Sequence, residues 1–221
     1  MSAAIDTVVH VFAKPPSAGI AKTRLASVLG DEGAAALARA FLLDTWDVVR
    51  AVPFARPVLA ITDALAAYRL DDAVETFPQG EGDLGARMER ALRSGLRDAR
   101  CSIVVGTDCP GITVDRFARA RDALADADVF VDPTRDGGFY LVAVRTCPEG
   151  LFDGIAWSRE TTCDATIARI RSLGLRVAVG PGWFDVDDAG DLVELDATKD
   201  ALRTTAPRTV AFLDANTTRL R

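Results

Sequence analysis

Short apolar runs alternate with amphipathic stretches along most of the chain. Thr7–Phe12 is apolar and rich in β-branched residues, which predicts a buried strand. Further apolar runs predict strands at residues 57–62, 74–77, 102–106, 128–131, 139–144 and 175–179. Apolar residues at helical spacing predict helices over residues 33–52, 84–97, 113–125, 160–173 and 187–195.

This alternation indicates the fold class. Strands that are apolar throughout and alternate with helices are typical of a mostly parallel sheet that is covered on both faces. We therefore expect an α/β protein with three layers, α/β/α, and a mostly parallel central sheet. Ligands of such sheets bind beyond the carboxyl ends of the strands, so a site is expected in the loops there. The pattern weakens beyond residue 198, and we expect one domain over residues 1–221 in which residues 198–221 form a tail or a helix.

Composition fits an ordinary globular protein. The chain has 221 residues, and the 49% that are hydrophobic suffice for one sizeable core, which argues against a disordered chain. No apolar run approaches the roughly 20 residues that span a bilayer. The first residues do not follow the pattern of a signal peptide, so a cytoplasmic location without membrane contact is the expectation.

Charge, cysteine and histidine usage exclude several functions. The net charge of −6 argues against nucleic-acid binding, which normally relies on a basic surplus. The four cysteines form no CxxC pair, so neither a zinc site nor a disulfide framework is indicated. The single histidine, His10, lies in an apolar strand and is interpreted as a packed residue. Any chemistry then depends on carboxylates, lysines, arginines or a metal ion held by oxygen atoms.

A basic loop follows the first predicted strand. It contains Lys14, Gly19, Lys22 and Arg24. Glycine lets backbone amides approach an anion closely, and the three cations would neutralise it. The loop is neither a Walker A motif nor GxGxxG, and it predicts either a polyphosphate site or a solvated basic loop.

Acidic residues follow two later strands. Asp108 emerges from the apolar strand that ends at Gly106, where it would be costly to desolvate without a partner. A divalent cation is one partner, and capping of the next helix is the alternative. Asp185 and Asp187 are two residues apart, which in an extended segment puts both side chains on one side. Asp188 and Asp191 are interpreted instead as a helix cap and a residue of the first helical turn. The alternative is that all four acids serve capping and solubility.

Two glycine-rich turns carry polar residues and could border a nucleotide. The first contributes Gln79, Gly80 and Gly85, and the second contributes Gly137 and Gly138. Either turn could shape a pocket for a base or a substrate, and either could equally be a plain connection.

Five motifs in order resemble a known family. They are AKPPSAGIAKTRL, QGEGDLGARM, VGTDCPGIT, DPTRDGGFYLVAV and WFDVDDAGDL. Together they resemble the bacterial DUF2064 group of GT-A-fold, transferase-like proteins, relatives of the molybdenum-cofactor and 2-phospholactate guanylyltransferases. The resemblance covers about residues 5–195 and implies a nucleotide-diphospho-sugar-transferase-like fold.

The resemblance also implies roles for particular residues. The loop of Lys14, Gly19, Lys22 and Arg24 would hold nucleotide phosphates, and Asp108 would bind Mg²⁺. A second acidic motif of related enzymes, D-x-D-T-P-x-D-L, is matched from Asp185 to Leu192, with Asp188 and Ala189 in place of Thr-Pro. The glycine-rich start of sugar-nucleotide pyrophosphorylases is absent, so no base is specified.

Three functions are therefore weighed. The first is a nucleotidyltransferase that uses Mg²⁺ (or Mn²⁺) and transfers NMP from an NTP to a small phosphorylated or anionic acceptor. Its catalytic residues would be Lys22, Arg24 and Asp108, its metal ligands Asp108, Asp185 and Asp187. The second is a GT-A glycosyltransferase with a nucleotide-sugar donor. The third is a non-catalytic nucleotide-binding protein, and a homodimer is left open.

Overall fold

The sheet has seven strands, six of them parallel to one another. A computed structural model describes residues 5–70 and 74–217. The strands lie in the order β3-β2-β1-β4-β6-β5-β7, and only β6 is antiparallel to its neighbours among the described strands. The strands are β1 (Thr7–Phe12), β2 (Ala55–Ile61), β3 (Thr76–Pro78), β4 (Cys101–Gly106), β5 (Val129–Pro133), β6 (Phe139–Val144) and β7 (Val177–Val179).

Helices cover both faces of the sheet, as predicted. They are α1 (Ala26–Arg50), α2 (Leu84–Asp98), α3 (Val114–Ala123), α4 (Thr162–Ser172), α5 (Ala189–Thr198) and α6 (Pro207–Asn216). Successive side chains of a strand point to opposite faces. Ile103 and Val105 accordingly pack in one core with α1 and α3, whereas Val104 packs in another with α2 and α4. The predicted three-layer α/β/α architecture is confirmed.

The first helix starts earlier than predicted. The sequence pattern predicts a helix from residue 33, but α1 begins at Ala26 and is interrupted at Gly30, whose φ is 72°. That φ lies in the left-handed region that glycine adopts at little cost, so one helical turn precedes the break.

The region after residue 198 packs on α1 of the same chain. Asp44 of α1 is buried, and its carboxylate accepts hydrogen bonds from the backbone nitrogens of Arg208 (3.1 Å) and Thr209 (2.9 Å). A side chain of α1 therefore caps the amino-terminal end of α6. The final predicted residues, 218–221, lie outside the described ranges.

His10 is a packed residue, as predicted, and the cysteines are unpaired. His10 is 2% exposed and packs edge-on against Phe77, with ring centroids 5.3 Å apart. All four cysteines are free. Within residues 5–70 and 74–217, no helix combines the length and the apolarity that crossing a membrane requires.

Candidate active site

Four segments that are distant in sequence meet at one edge of the sheet. Because β1, β4, β5 and β7 are parallel, their carboxyl ends share this edge. The loop after β1 supplies Lys22, and the loop after β4 supplies Asp108. The turn after β5 supplies Asp136, and the segment after β7 supplies Asp185 and Asp187.

Lys22 lies between two of these carboxylates. Its Nζ is 2.9 Å from Asp108 Oδ1 and 2.8 Å from Asp187 Oδ1, and it donates a hydrogen bond to the carbonyl oxygen of Val186 at 2.6 Å. The side chain is only 6% exposed, and its backbone adopts a left-handed conformation with φ of 52°. Burial lowers the pKa of Lys22, but Asp108 and Asp187 outweigh that effect and the pKa is raised. The ammonium group therefore stays charged at neutral pH.

Asp187 belongs at the same time to a group of three acids. One carboxylate oxygen each from Asp136, Asp185 and Asp187 lie within 4.8 Å of one another, and these residues are called the acid group below. The pKa of Asp185 is raised from 3.8 to about 6, mainly by burial and then by the negative charges of Asp136 and Asp187. A set of oxygen ligands that repel one another fits a hard divalent cation such as Mg²⁺ or Mn²⁺.

Hydrogen bonds hold Asp136 and the backbone at Asp187 in place. Asp136 Oδ1 accepts from the Gly138 nitrogen (2.9 Å) and from the Thr134 hydroxyl (2.5 Å). Asp188 caps α5, and Asp191 Oδ2 accepts from the Asp187 nitrogen at 2.8 Å. The predicted cap at Asp188 and the first-turn position of Asp191 are thus confirmed. Together they fix the backbone at Asp187, next to the amino-terminal end of a helix.

A cleft of about 310 Å³ opens over these residues. That volume lies at the lower end of the range for small-molecule sites. Its lining combines two arginines with a larger number of acids. The lining residues are Arg24, Arg135, Asp136, Phe184, Asp185, Asp187, Asp188, Asp191 and Glu194.

The basic loop reaches this site only in part. Lys22 contacts the acids directly, and Arg24 lines the cleft. Lys14 and Gly19 are exposed on the same loop but do not line the cleft. Among the predicted metal ligands, Asp185 and Asp187 lie in the acid group, whereas Asp108 is paired with Lys22. Its assignment as a metal ligand stays a prediction.

The first glycine-rich turn makes mainly structural contacts. Gln79 is buried, and its Nε2 donates to the Ala60 carbonyl oxygen at 2.8 Å, which ties the end of β3 to β2. Gly80 lies where a Cβ would come within 2.8 Å of the Arg90 guanidinium. Gly85 packs in α2 where a Cβ would lie 2.7 Å from the Trp157 ring. A role of these three residues in nucleotide binding remains a prediction.

The second glycine-rich turn shapes the acid group. At Gly137 φ is 86°, and a Cβ would lie only 1.9 Å from the Glu160 carbonyl oxygen, so no other residue fits without a shift. Gly138 donates its amide to Asp136, as described above. The two predicted glycines therefore shape the turn that holds Asp136, and their contact with a ligand stays a prediction.

Sequence reasoning missed Asp136 and Arg135 as site residues. Both lie in the turn between β5 and β6 that was interpreted only as a pocket border. A usable signal was present, because Asp136 lies in the loop after a predicted strand, as Asp108 does, and loops at strand ends were expected to form the site. Arg135 is 66% exposed and pairs with Glu194 across the cleft at 2.5 Å.

Comparison with known proteins identifies the family. The family model described as "Uncharacterized protein conserved in bacteria (DUF2064)" matches residues 45–159. The chain belongs to this family. The matched part contains Asp108 and Asp136, whereas Lys22, Asp185 and Asp187 lie outside it. No curated protein matches the chain significantly.

Solved structures share the fold over nearly the whole chain. A protein from Desulfovibrio desulfuricans G20, provisionally described as a nucleotide-diphospho-sugar transferase, is 28% identical with a TM-score of 0.89; 97% of this chain and 96% of that chain are covered. A cytidylyltransferase from Leptospira borgpetersenii serovar Hardjo-bovis is 14% identical with a TM-score of 0.59, over 98% and 97% of the two chains.

A third structure, CMP:2-keto-3-deoxy-manno-octonic acid synthetase complexed with CTP, is 11% identical with a TM-score of 0.58, over 89% and 99%. The last two likenesses concern the fold alone. The predicted DUF2064 resemblance and the nucleotide-diphospho-sugar-transferase-like fold are confirmed, and the fold is one that transferases use.

Proposed function

We propose that this protein is a nucleotidyltransferase that uses Mg²⁺ or Mn²⁺ and transfers NMP from an NTP to a small phosphorylated or anionic acceptor. One observation carries the proposal: Asp187 is shared between the acid group and the buried ammonium of Lys22. A cation site beside a fixed positive charge suits a polyphosphate with its metal ion. The transferase fold of the solved relatives supports the same conclusion.

Each charged residue has a place in this proposal. Asp136, Asp185 and Asp187 would hold the divalent cation, which when bound neutralises phosphate oxygens and polarises the phosphorus. Arg24 would bind the β- and γ-phosphates, with Arg135 as a further cation on the cleft wall. Lys22, whose three N–H donors already meet Asp108, Asp187 and the Val186 carbonyl oxygen, would act on the phosphates through its positive charge. Asp108 keeps Lys22 in position through its Oδ1, and its role as a further metal ligand is part of the proposal.

The proposed transfer is a direct displacement. An oxygen of the acceptor forms a bond to the α-phosphorus while the bond between that phosphorus and the bridging oxygen to the β-phosphate breaks. Pyrophosphate leaves with the electron pair, and its charge is met by Lys22 and Arg24. Lys14, exposed in the loop after β1 and outside the lining of the cleft, would contact the α-phosphate only if the substrate extends beyond the cleft. These residues bind and orient the anions, and no histidine takes part.

A second candidate is a glycosyltransferase with a nucleotide-sugar donor. The observation in its favour is the 28% identity to the Desulfovibrio desulfuricans protein over nearly the full length of both chains. The same cleft would then hold the diphosphate of the donor. The two functions differ in the preferred ligand, an NTP in one case and a UDP- or GDP-sugar in the other.

Thermal shift with each NTP and with UDP- and GDP-sugars, all with Mn²⁺, separates the two candidates, because a ligand that binds the folded state raises its stability. Pyrophosphate release in the presence of pooled phosphorylated acceptors then tests catalysis. Asp185→Asn should abolish release. Asp200→Asn removes the same charge outside the cleft and should leave release unchanged. Preference for nucleotide sugars favours the second candidate, and NTP binding without turnover indicates a non-catalytic binding protein.

A further inference from the structure

A single arginine connects the segments that carry the acids. Arg116 lies on α3, the helix that follows the Asp108 loop. Its Nη1 donates to Asp132 Oδ2 at 3.2 Å and to the Gly182 carbonyl oxygen at 3.1 Å. Asp132 is in β5, four residues before Asp136, and Gly182 is three residues before Asp185. The guanidinium of one residue on α3 therefore contacts both the strand that leads to Asp136 and the segment that leads to Asp185.

The carboxylate of Asp132, which accepts the hydrogen bond from Arg116, is buried, and both of its oxygens are hydrogen-bonded. Asp132 is 1% exposed, and its Oδ1 accepts from the Gly182 nitrogen at 2.8 Å. Its Oδ2 also accepts a short hydrogen bond from the Tyr140 hydroxyl, which in turn accepts from Arg116 at 2.9 Å. A Cβ at Gly180 would lie 2.3 Å from Asp132 Oδ1, so the chain passes against this carboxylate with no room for a side chain. A buried charge with this many partners is costly to disturb.

The next residues continue this contact toward the acid group. The Arg116 guanidinium lies 4.1 Å from the Trp183 ring centroid, a cation–π contact. Trp183 donates its Nε1 to the Pro110 carbonyl oxygen at 2.9 Å and its backbone nitrogen to the Pro133 carbonyl oxygen at 3.0 Å. The Val186 nitrogen then bonds to the Asp108 carbonyl oxygen at 3.0 Å. Residues 182–186, which immediately precede Asp187, are thus hydrogen-bonded to the loop after β4 and to the end of β5.

We propose that Arg116 is a positioning residue for the acid group: by binding Asp132, Gly182 and Trp183 together, it sets the distance between Asp136 and the pair Asp185 and Asp187. The inference rests on the proposed function for its metal. Arg116 does not line the cleft and is not assigned a contact with substrate. It acts through the backbone of residues 182–186 and through β5.

Two measurements on Arg116→Met test this role. The first is hydrogen exchange of the peptide covering residues 181–187, which needs no metal. The second is the Mn²⁺ dissociation constant, read from the electron paramagnetic resonance of free Mn²⁺ at a temperature where the variant is folded. We expect exchange to be about tenfold faster and Mn²⁺ binding to be at least about tenfold weaker, as for other residues that orient metal ligands.

Arg121→Met is the matched control. Arg121 lies on the same helix and stacks on the Phe54 ring at 3.9 Å, beside the amino-terminal start of β2 and away from the acid group. Its removal should cost packing without changing either measurement. If Arg116→Met does not fold, Tyr140→Phe removes only the hydroxyl that links Asp132 and Arg116, and a smaller rise in exchange at residues 181–187 is expected.

The outcomes separate this inference from the proposed function. The positioning role is overturned if Arg116→Met exchanges or binds Mn²⁺ like the unmodified protein. It is also overturned if Arg121→Met changes either quantity as much as Arg116→Met does. If the unmodified protein binds no Mn²⁺, the proposed function loses its metal. Exchange alone then decides: a rise confined to residues 181–187 supports the role of Arg116, and no rise overturns it.

Discussion

Metal binding should depend on pH through Asp185. The pKa of this carboxyl is raised to about 6 by burial and by the charges of Asp136 and Asp187. A metal ion needs the ionised carboxylate, so protons and metal compete for Asp185. The perturbation is therefore a change of pH from 8 to 5, a range that includes the pKa of Asp185.

The expected effect follows from the ionised fraction. With a pKa of about 6, Asp185 is almost fully ionised at pH 8 and only about one-eleventh ionised at pH 5. The Mn²⁺ dissociation constant should therefore rise about tenfold, which corresponds to about 1.4 kcal/mol. A carboxyl with the ordinary pKa of 3.8 would be more than about nine-tenths ionised at pH 5 and would change the constant by less than about a tenth.

The assay is a Mn²⁺ titration at constant ionic strength at pH 5, 6, 7 and 8, followed by the resonance of free Mn²⁺. Asp185→Asn should bind weakly at every pH and lose the tenfold dependence. Asp200→Asn, whose charge lies on the 3₁₀ turn after α5, should follow the unmodified protein. A dissociation constant that changes by less than about twofold between pH 8 and pH 5 refutes the reasoning, because the acids would then not share one cation site.

Three further predictions concern single residues. Lys22→Met should abolish turnover yet tighten Mn²⁺ binding several-fold, because its ammonium no longer competes for Asp187; weaker Mn²⁺ binding in the same titration contradicts this. His10 has its pKa lowered from 6.5 to about 4 by burial, so the unfolded chain takes up the proton first and about 3 kcal/mol of stability is lost as the pH falls from 6.5 to 4. Urea unfolding of His10→Leu should lack that loss, and equal pH slopes in both proteins would sink the idea. Asp44→Ala should lower the free energy of urea unfolding by about 1–3 kcal/mol by uncapping α6, whereas Asp47→Ala, which removes one exposed ion pair with Arg208, should cost less than about 1 kcal/mol.

Strand positions follow closely from the sequence because buried strands have a strong local signal. Thr7–Phe12 and Phe139–Val144 have the predicted bounds, since both are continuous apolar runs flanked by polar or turn residues. The start of α1 was wrong by seven residues because Gly30 breaks the helix without ending it. Local patterns contain no information on whether a chain resumes the same helix after such a break.

The site was predicted less completely because its residues are brought together by topology. Lys22 and Asp187 are 165 positions apart and meet only because β1, β4 and β7 present their carboxyl ends at one edge. Asp136 was interpreted as part of a turn, although that turn lies at the same edge since β5 is parallel to β4 through β6. Gln79 and Gly85 have the composition of a binding turn, but their contacts with Ala60 and Trp157 are used in packing. Sequence identifies residue types that suit a ligand, and only the packing decides which of them are already engaged.

The charge balance of the cleft explains why a cation and a nucleotide would bind together. Six acids and two arginines line it among the described residues, so an NTP alone would meet a repulsive surface. The carboxylates of Asp188 and Asp191 accept hydrogen bonds from backbone amides at the start of α5. Glu194 forms an ion pair with Arg135. Of the six acids, the three of the acid group are left without these partners, and Lys22 balances the negative charge of only one of them, Asp187. In the proposed function a divalent cation would supply the missing positive charge and would make the cleft attractive to phosphate, so the same residues would account for both the metal site and the need for a metal.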